Sequence, residues 1–148
     1  MLKNLKTAIL SISILLFIIS LTQPAFYIDR SNSPDGWSNS LGLVLIGWTG
    51  TLAGSGAALS WIANPLIFVS WYNLFRNIKA SLITGIFAFI FSASFLLFKT
   101  VISNEAGHYS LISERKAGYW LWLTSISFFL AGLIIVYLKE KSTREKII

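Results

Sequence analysis

Four long stretches of this chain, Thr7 to Thr22, Ser55 to Phe75, Ala80 to Phe98 and Tyr119 to Leu138, carry no acidic or basic residue. Each approaches the roughly 20 apolar residues needed to cross about 30 Å of hydrocarbon. The expected fold is therefore an all-α integral membrane domain, residues 1–148, with four transmembrane helices. Charges inside a membrane usually mark ion or proton pathways, so these uncharged spans give no such sign of transport.

With 148 residues, 55% of them hydrophobic, little sequence is left for a separate soluble domain. Cysteine is absent, which excludes disulfides, thiol catalysis, thiolate metal sites and lipidation on Cys. The opening MLKNLKTAILSISILLFIISLTQPAF has a charged start and an apolar core, but no A-x-A-like site follows it. It reads as an uncleaved first span, because cleavage would leave three helices.

The net charge of +6 reads as topology rather than as a nucleic-acid footprint. With both termini cytoplasmic, the inside carries eight basic residues (Lys3, Lys6, Arg76, Lys79, Lys139, Lys141, Arg144, Lys146) against two acidic ones, Glu140 and Glu145. The opposite side balances Arg30, Lys99, Arg115 and Lys116 against Asp29, Asp35, Glu105 and Glu114. The whole excess falls on one face, as the positive-inside rule expects, and it can also attract anionic lipid head groups.

From Gly36 to Phe75 no charge occurs over 40 residues. A single helix of that length would run about 60 Å, twice the hydrocarbon thickness. The break is expected within Gly42 to Gly56, LGLVLIGWTGTLAGSG, where glycines and hydroxyl residues permit turns. Two spans here would put Lys3 and Lys6 opposite the basic C-terminal tail, so an interfacial or re-entrant helix over Leu41 to Leu52 is expected before the second span. Only Arg76 to Lys79 separate the second and third stretches, which predicts adjacent antiparallel helices. The loop QPAFYIDRSNSPDGWSNS is rich in turn residues, and Lys99 to Gly118 is apolar enough to lie at the interface. Trp37, Tyr119, Trp120 and Trp122 on one side, and Trp71, Tyr72 and Tyr137 on the other, suit the two membrane boundaries.

The most unusual local sequence is SWIANPLIFVSW, Ser60 to Trp71. Pro65 inside an apolar helix would deprive the Trp61 carbonyl of its donor and kink the span. Ser60, Trp61, Asn64 and Pro65 are therefore the candidate polar pocket; otherwise Asn64 bonds a neighbouring helix as structural glue. Gly50, Gly54 and Ala58 recur every four residues and predict a small-residue ridge for helix packing. Glu105 and His108 have the Glu-x-x-His spacing of half a di-iron site, but no second histidine exists to complete one, and no metal is expected. DRSNSPDG, Asp29 to Gly36, starts like a calcium loop yet places Ser40 where the bidentate Glu belongs. No G-x-S-x-G elbow or rigid carboxylate pair suggests an enzyme, and no cofactor is expected.

The run GWTGTLAGSGAALSWIANPLIFVSW, with NEAGHYS and GYWLWL, resembles uncharacterised small bacterial four-helix inner-membrane proteins with G-W, W-x-A-N-P and N-E-A-G motifs. The likeness covers about Gly47 to Leu123. It implies the four-helix topology, an inner-membrane location and a purposeful role for Trp61, Asn64 and Pro65, but no activity. The expected role is that of a non-catalytic accessory or interaction subunit, packing in the lipid bilayer against a membrane protein partner or as a homo-oligomer. The alternatives are toxin or bacteriocin immunity, and binding or transport of a lipid or small molecule at the Asn64–Pro65 kink.

Overall fold

The computed structural model describes residues 2–29, 38–103 and 107–145, with Arg144 and Glu145 described by backbone only. The chain is mostly helical. Helix α1 spans Leu2–Leu21, α2 Ser40–Ile46, α3 Trp48–Leu52, α4 Ala63–Asn73, α5 Ile78–Ser94 and α6 Ala117–Glu145; 3-10 turns cover Ala57–Ile62 and Phe95–Leu97. Three helical stretches are long and apolar enough to cross a membrane: Leu2–Leu21, Ile78–Leu97 and Ala117–Thr143. The stretch expected as the second span, Ser55 to Phe75, is instead composite, the turn Ala57–Ile62 running directly into α4.

The fold is not all-α. Strands β1 (Phe26–Ile28), β2 (Thr100–Ile102) and β3 (Tyr109–Arg115) form an antiparallel sheet in the order β1-β3-β2. Val101 faces Ser110 across the β2–β3 hairpin, and Phe26 pairs with Arg115, with a bulge between Tyr27 and Ile28. Gly107, at φ +79°, supplies the left-handed residue of the hairpin connection. Arg115 ties this sheet to the bundle: its Nη2 donates to the carbonyls of Phe95, Leu96 and Phe98 in and just after the 3-10 turn that ends α5, where helical donors run out.

The bundle is held by serines at helix contacts. Ser70 of α4 donates to the Ser81 carbonyl at 2.7 Å, and Ser81 of α5 returns a bond to the Ser70 carbonyl at 2.8 Å. Ser13 of α1 and Ser125 of α6 make the same reciprocal pair at 3.1 and 2.8 Å. Small side chains bring the backbones close, and the hydroxyls are satisfied across the gap. Trp71 donates to Ser13 Oγ at 3.2 Å and stacks edge-on against Phe17 and Phe129, filling the space between the pairs. Gly132 admits Ile9, whose side-chain carbons would lie 2.8 Å from a Cβ at that position.

Contacts between α1 and α6 pass from Ser13–Ser125 through Ile9–Gly132 to the ion pair Lys6–Glu140, so these helices are antiparallel. Phe17 against Phe68, with Ser13 against Trp71, orients α4 antiparallel to α1 as well. The expected tight hairpin is formed by α4 and α5, with Asn77 capping α5 by accepting from the Ala80 amide at 3.1 Å. The start of α1, the α4–α5 connection and the end of α6 thus share one end of the bundle; the sheet occupies the other.

Candidate functional site: an apolar cavity beneath the sheet

At the sheet end lies a cavity of about 400 Å³, within the roughly 300–1,000 Å³ range of small-molecule sites. Phe26, Ile28, Val101 and Ile102 of the sheet line one side, and Phe95 of the 3-10 turn after α5 with Tyr119 and Trp122 of α6 line another. The third wall is α2 and α3, which occupy the segment where one helix over Leu41 to Leu52 was expected. They are two short helices because Gly47 separates them. The Trp61 ring packs on that glycine, where a Cβ would sit 2.7 Å from Cδ1, while the Trp61 indole donates to the Val44 carbonyl at 2.9 Å.

Each end of this wall is fixed. Asn39 Oδ1 caps α2 by accepting from the Leu41 amide at 2.9 Å, and the Ser40 hydroxyl donates to the Gln23 carbonyl at 2.6 Å. Gly118 starts α6 so close to the β1 approach that a Cβ would lie 2.7 Å from the Gln23 and Pro24 carbonyl oxygens. Further along, Thr51 Oγ1 donates to the Ala58 carbonyl at 3.0 Å. The cavity side of the wall includes Leu43, Val44 and Gly50; its outer side exposes Leu41, Leu45, Trp48 and Leu52, the last at 77%.

Three of the four candidate pocket residues, Ser60, Trp61 and Asn64, line this cavity. Pro65 does not. It is the third residue of α4, in the first α-helical turn after the 3-10 turn, where proline is tolerated. The Ala63 amide, where the 3-10 turn becomes α-helix, reaches the carbonyls of both Ser60 and Trp61. The Trp61 carbonyl is therefore not left free by the proline.

Asn64 is 4% exposed, and its Oδ1 accepts from Trp122 Nε1 at 2.9 Å. This interhelical bond joins α4 to α6. Trp122 had looked like a boundary aromatic, and nothing in the sequence tied it to Asn64 across 58 residues. The Ser60 hydroxyl turns back to the Ala57 carbonyl at 2.8 Å. No charged side chain occurs among the described lining residues.

Gly50, Gly54 and Ala58 do not form one helical ridge. Gly50 lies in α3 and Ala58 in the following 3-10 turn, where the two approach closely enough that a Cβ on Gly50 would be 3.0 Å from that of Ala58. Gly54 sits between them at φ +79° with open space beside it, so it turns the chain rather than packing a helix.

Among the described residues no three His, Asp or Glu side chains come together as a metal group. Glu105 and the segment Arg30 to Gly36 lie outside the described residues, and with them the acidic half of the Glu-x-x-His pair and most of DRSNSPDG. No family model, curated protein or solved structure matches this chain.

Proposed function

We propose that this chain is a non-catalytic, four-span protein of a bacterial inner membrane that binds an apolar small molecule or lipid segment in the cavity beneath its sheet. The observation that carries this reading is the cavity itself: about 400 Å³, walled largely by aliphatic and aromatic side chains, with Asn64, Ser60 and Trp61 in its lining. A largely apolar pocket with a few placed polar groups is the usual form of a small-molecule site.

The fourth crossing is supported by length. At about 2.0 Å per residue for the 3-10 turn and about 1.5 Å for the helix, Ala57 to Asn73 rises about 28 Å, close to the hydrocarbon thickness. The basic residues Lys3, Lys6, Arg76, Lys79, Lys139 and Lys141 collect at the end shared by α1, the α4–α5 connection and α6, which supports a cytoplasmic position for both termini. Exposed Leu45 and Leu52 support α2 and α3 as an interfacial or re-entrant element facing lipid. The likeness to uncharacterised small four-helix inner-membrane proteins belongs to the same proposal. An accessory role through self-packing loses its main support with Gly54 in a turn.

Photolabelling tests the reading. A diazirine-bearing hexadecane should label cavity-lining residues of the full chain in detergent, and Ala57→Phe, which fills the cavity from a buried wall position, should abolish most of that label. Equal labelling of both proteins at these residues would contradict a binding cavity.

A further inference from the structure

Trp122 can only donate through its indole nitrogen, so the acceptor it meets fixes the Asn64 amide with Oδ1 turned to Trp122. The group left over is therefore the donor, Nδ2, which has no hydrogen-bond partner among the described residues. Asn64 is buried at the cavity wall, so this donor is available only to what enters the cavity. The Ser55 hydroxyl, also buried in the lining, bonds to no described residue either. Leaving such groups unmatched in an apolar wall is unfavourable, and a ligand acceptor relieves it.

The same lining rejects charge. A carboxylate or phosphate entering it would shed water without meeting a cation among the described lining residues. Resting on the ligand-binding reading above, we propose that the cavity selects an uncharged, hydrocarbon-bodied molecule carrying a carbonyl oxygen, and that Asn64 Nδ2 recognises this oxygen. The lipid-facing side of α2 and α3, with exposed Leu45 and Leu52, makes the bilayer the source of such a molecule. Two membrane components share this chemistry: the ester carbonyl of a neutral glycerolipid and the ring carbonyl of a prenylated quinone.

Competition against the hexadecane photolabel separates the cases, using dioleoylglycerol, decyl benzoquinone, oleate and plain hexadecane as competitors. In the wild-type chain at least one carbonyl compound should displace the label roughly three- to tenfold more effectively than hexadecane, the worth of one net hydrogen bond. Asn64→Leu alone would strand the Trp122 indole, so the decisive variant is Asn64→Leu with Trp122→Phe, which removes both partners and leaves apolar groups behind. There the carbonyl advantage should vanish while hexadecane competes as before; Trp122→Phe alone should keep the advantage.

The larger Asn64-dependent advantage identifies glycerolipid or quinone. A carbonyl advantage that survives in the double variant, or is absent from the wild type, would overturn the proposal while leaving the cavity reading intact. Oleate competing as well as the carbonyl compounds would overturn the exclusion of charge. Absence of any cavity label would overturn the ligand-binding reading and this proposal together.

Discussion

The Ser13 hydroxyl joins three helices. It donates to the Ser125 carbonyl and accepts from Trp71, whereas the hydroxyls of Ser70 and Ser81 bond only to each other's residue. Single interhelical hydrogen bonds in membranes average about 0.6 kcal/mol, so Ser81→Ala should destabilise by about that amount. Ser13→Ala also strands a partly buried indole N–H, and about 1–3 kcal/mol is expected. Reversible unfolding in mixed detergent micelles measures both, and Trp71→Phe should bring the two losses together. None of this was legible in the sequence: Ser13 and Ser125 are 112 residues apart, and each looks like an ordinary small residue in an apolar run.

Gly54 gives the opposite lesson. The spacing Gly50, Gly54, Ala58 matched a packing ridge, but the φ of +79° assigns Gly54 a conformational role. Gly54→Asn should therefore be nearly neutral and Gly54→Val should lose about 1–3 kcal/mol, because tolerance of the left-handed region rather than side-chain volume decides the outcome. A loss that simply tracks side-chain volume across Ala, Asn and Val would contradict this assignment.

At the scale of elements, length and charge located the helices well, and their ends less well. The first helix begins at Leu2 rather than Thr7 because Lys3 and Lys6 extend it beyond the apolar run, with Lys6 paired to Glu140. The short connection before Ile78 was legible because too few residues separate the two helices for anything but a hairpin. The 3-10 turn that puts Pro65 in a first α-helical turn was not legible, since the uncharged run gives no sign that such a turn precedes α4. Placed in a first turn, proline restricts the unfolded chain without removing a helical bond, so Pro65→Ala should destabilise by only about 0.4–1 kcal/mol in thermal unfolding. A loss near 3 kcal/mol would instead mark an interior kink.

The sheet was missed altogether. Thr100–Ile102 and Phe26–Ile28 have three residues each, too short for alternation to be read, and β1 finds its partner β3 only far along the chain. Burial of Val101 and of Phe26 and Ile28 under the sheet shows what the strands contribute: a lid over the cavity that helices alone do not supply.

For the whole molecule, the asymmetry of charge predicts both termini on one side, and the structure gathers the start of α1, the α4–α5 connection and the end of α6 at one end of the bundle. The cavity could not be foreseen, since its walls come from segments as far apart in the chain as Ser20 and Trp122, and the Asn64–Trp122 bond in its lining joins residues that meet only across the bundle. An outer cavity with a lipid-facing wall requires that α4 complete a crossing, and single-cysteine labelling in sealed membrane vesicles tests that requirement directly. The native chain has no cysteine to interfere. Asp29→Cys, exposed just after β1 and so before α4, should react with a membrane-impermeant maleimide from the extracytoplasmic side, while Arg76→Cys, exposed just after α4, should react only after permeabilisation. Labelling of both positions from the same side would contradict the four-span account.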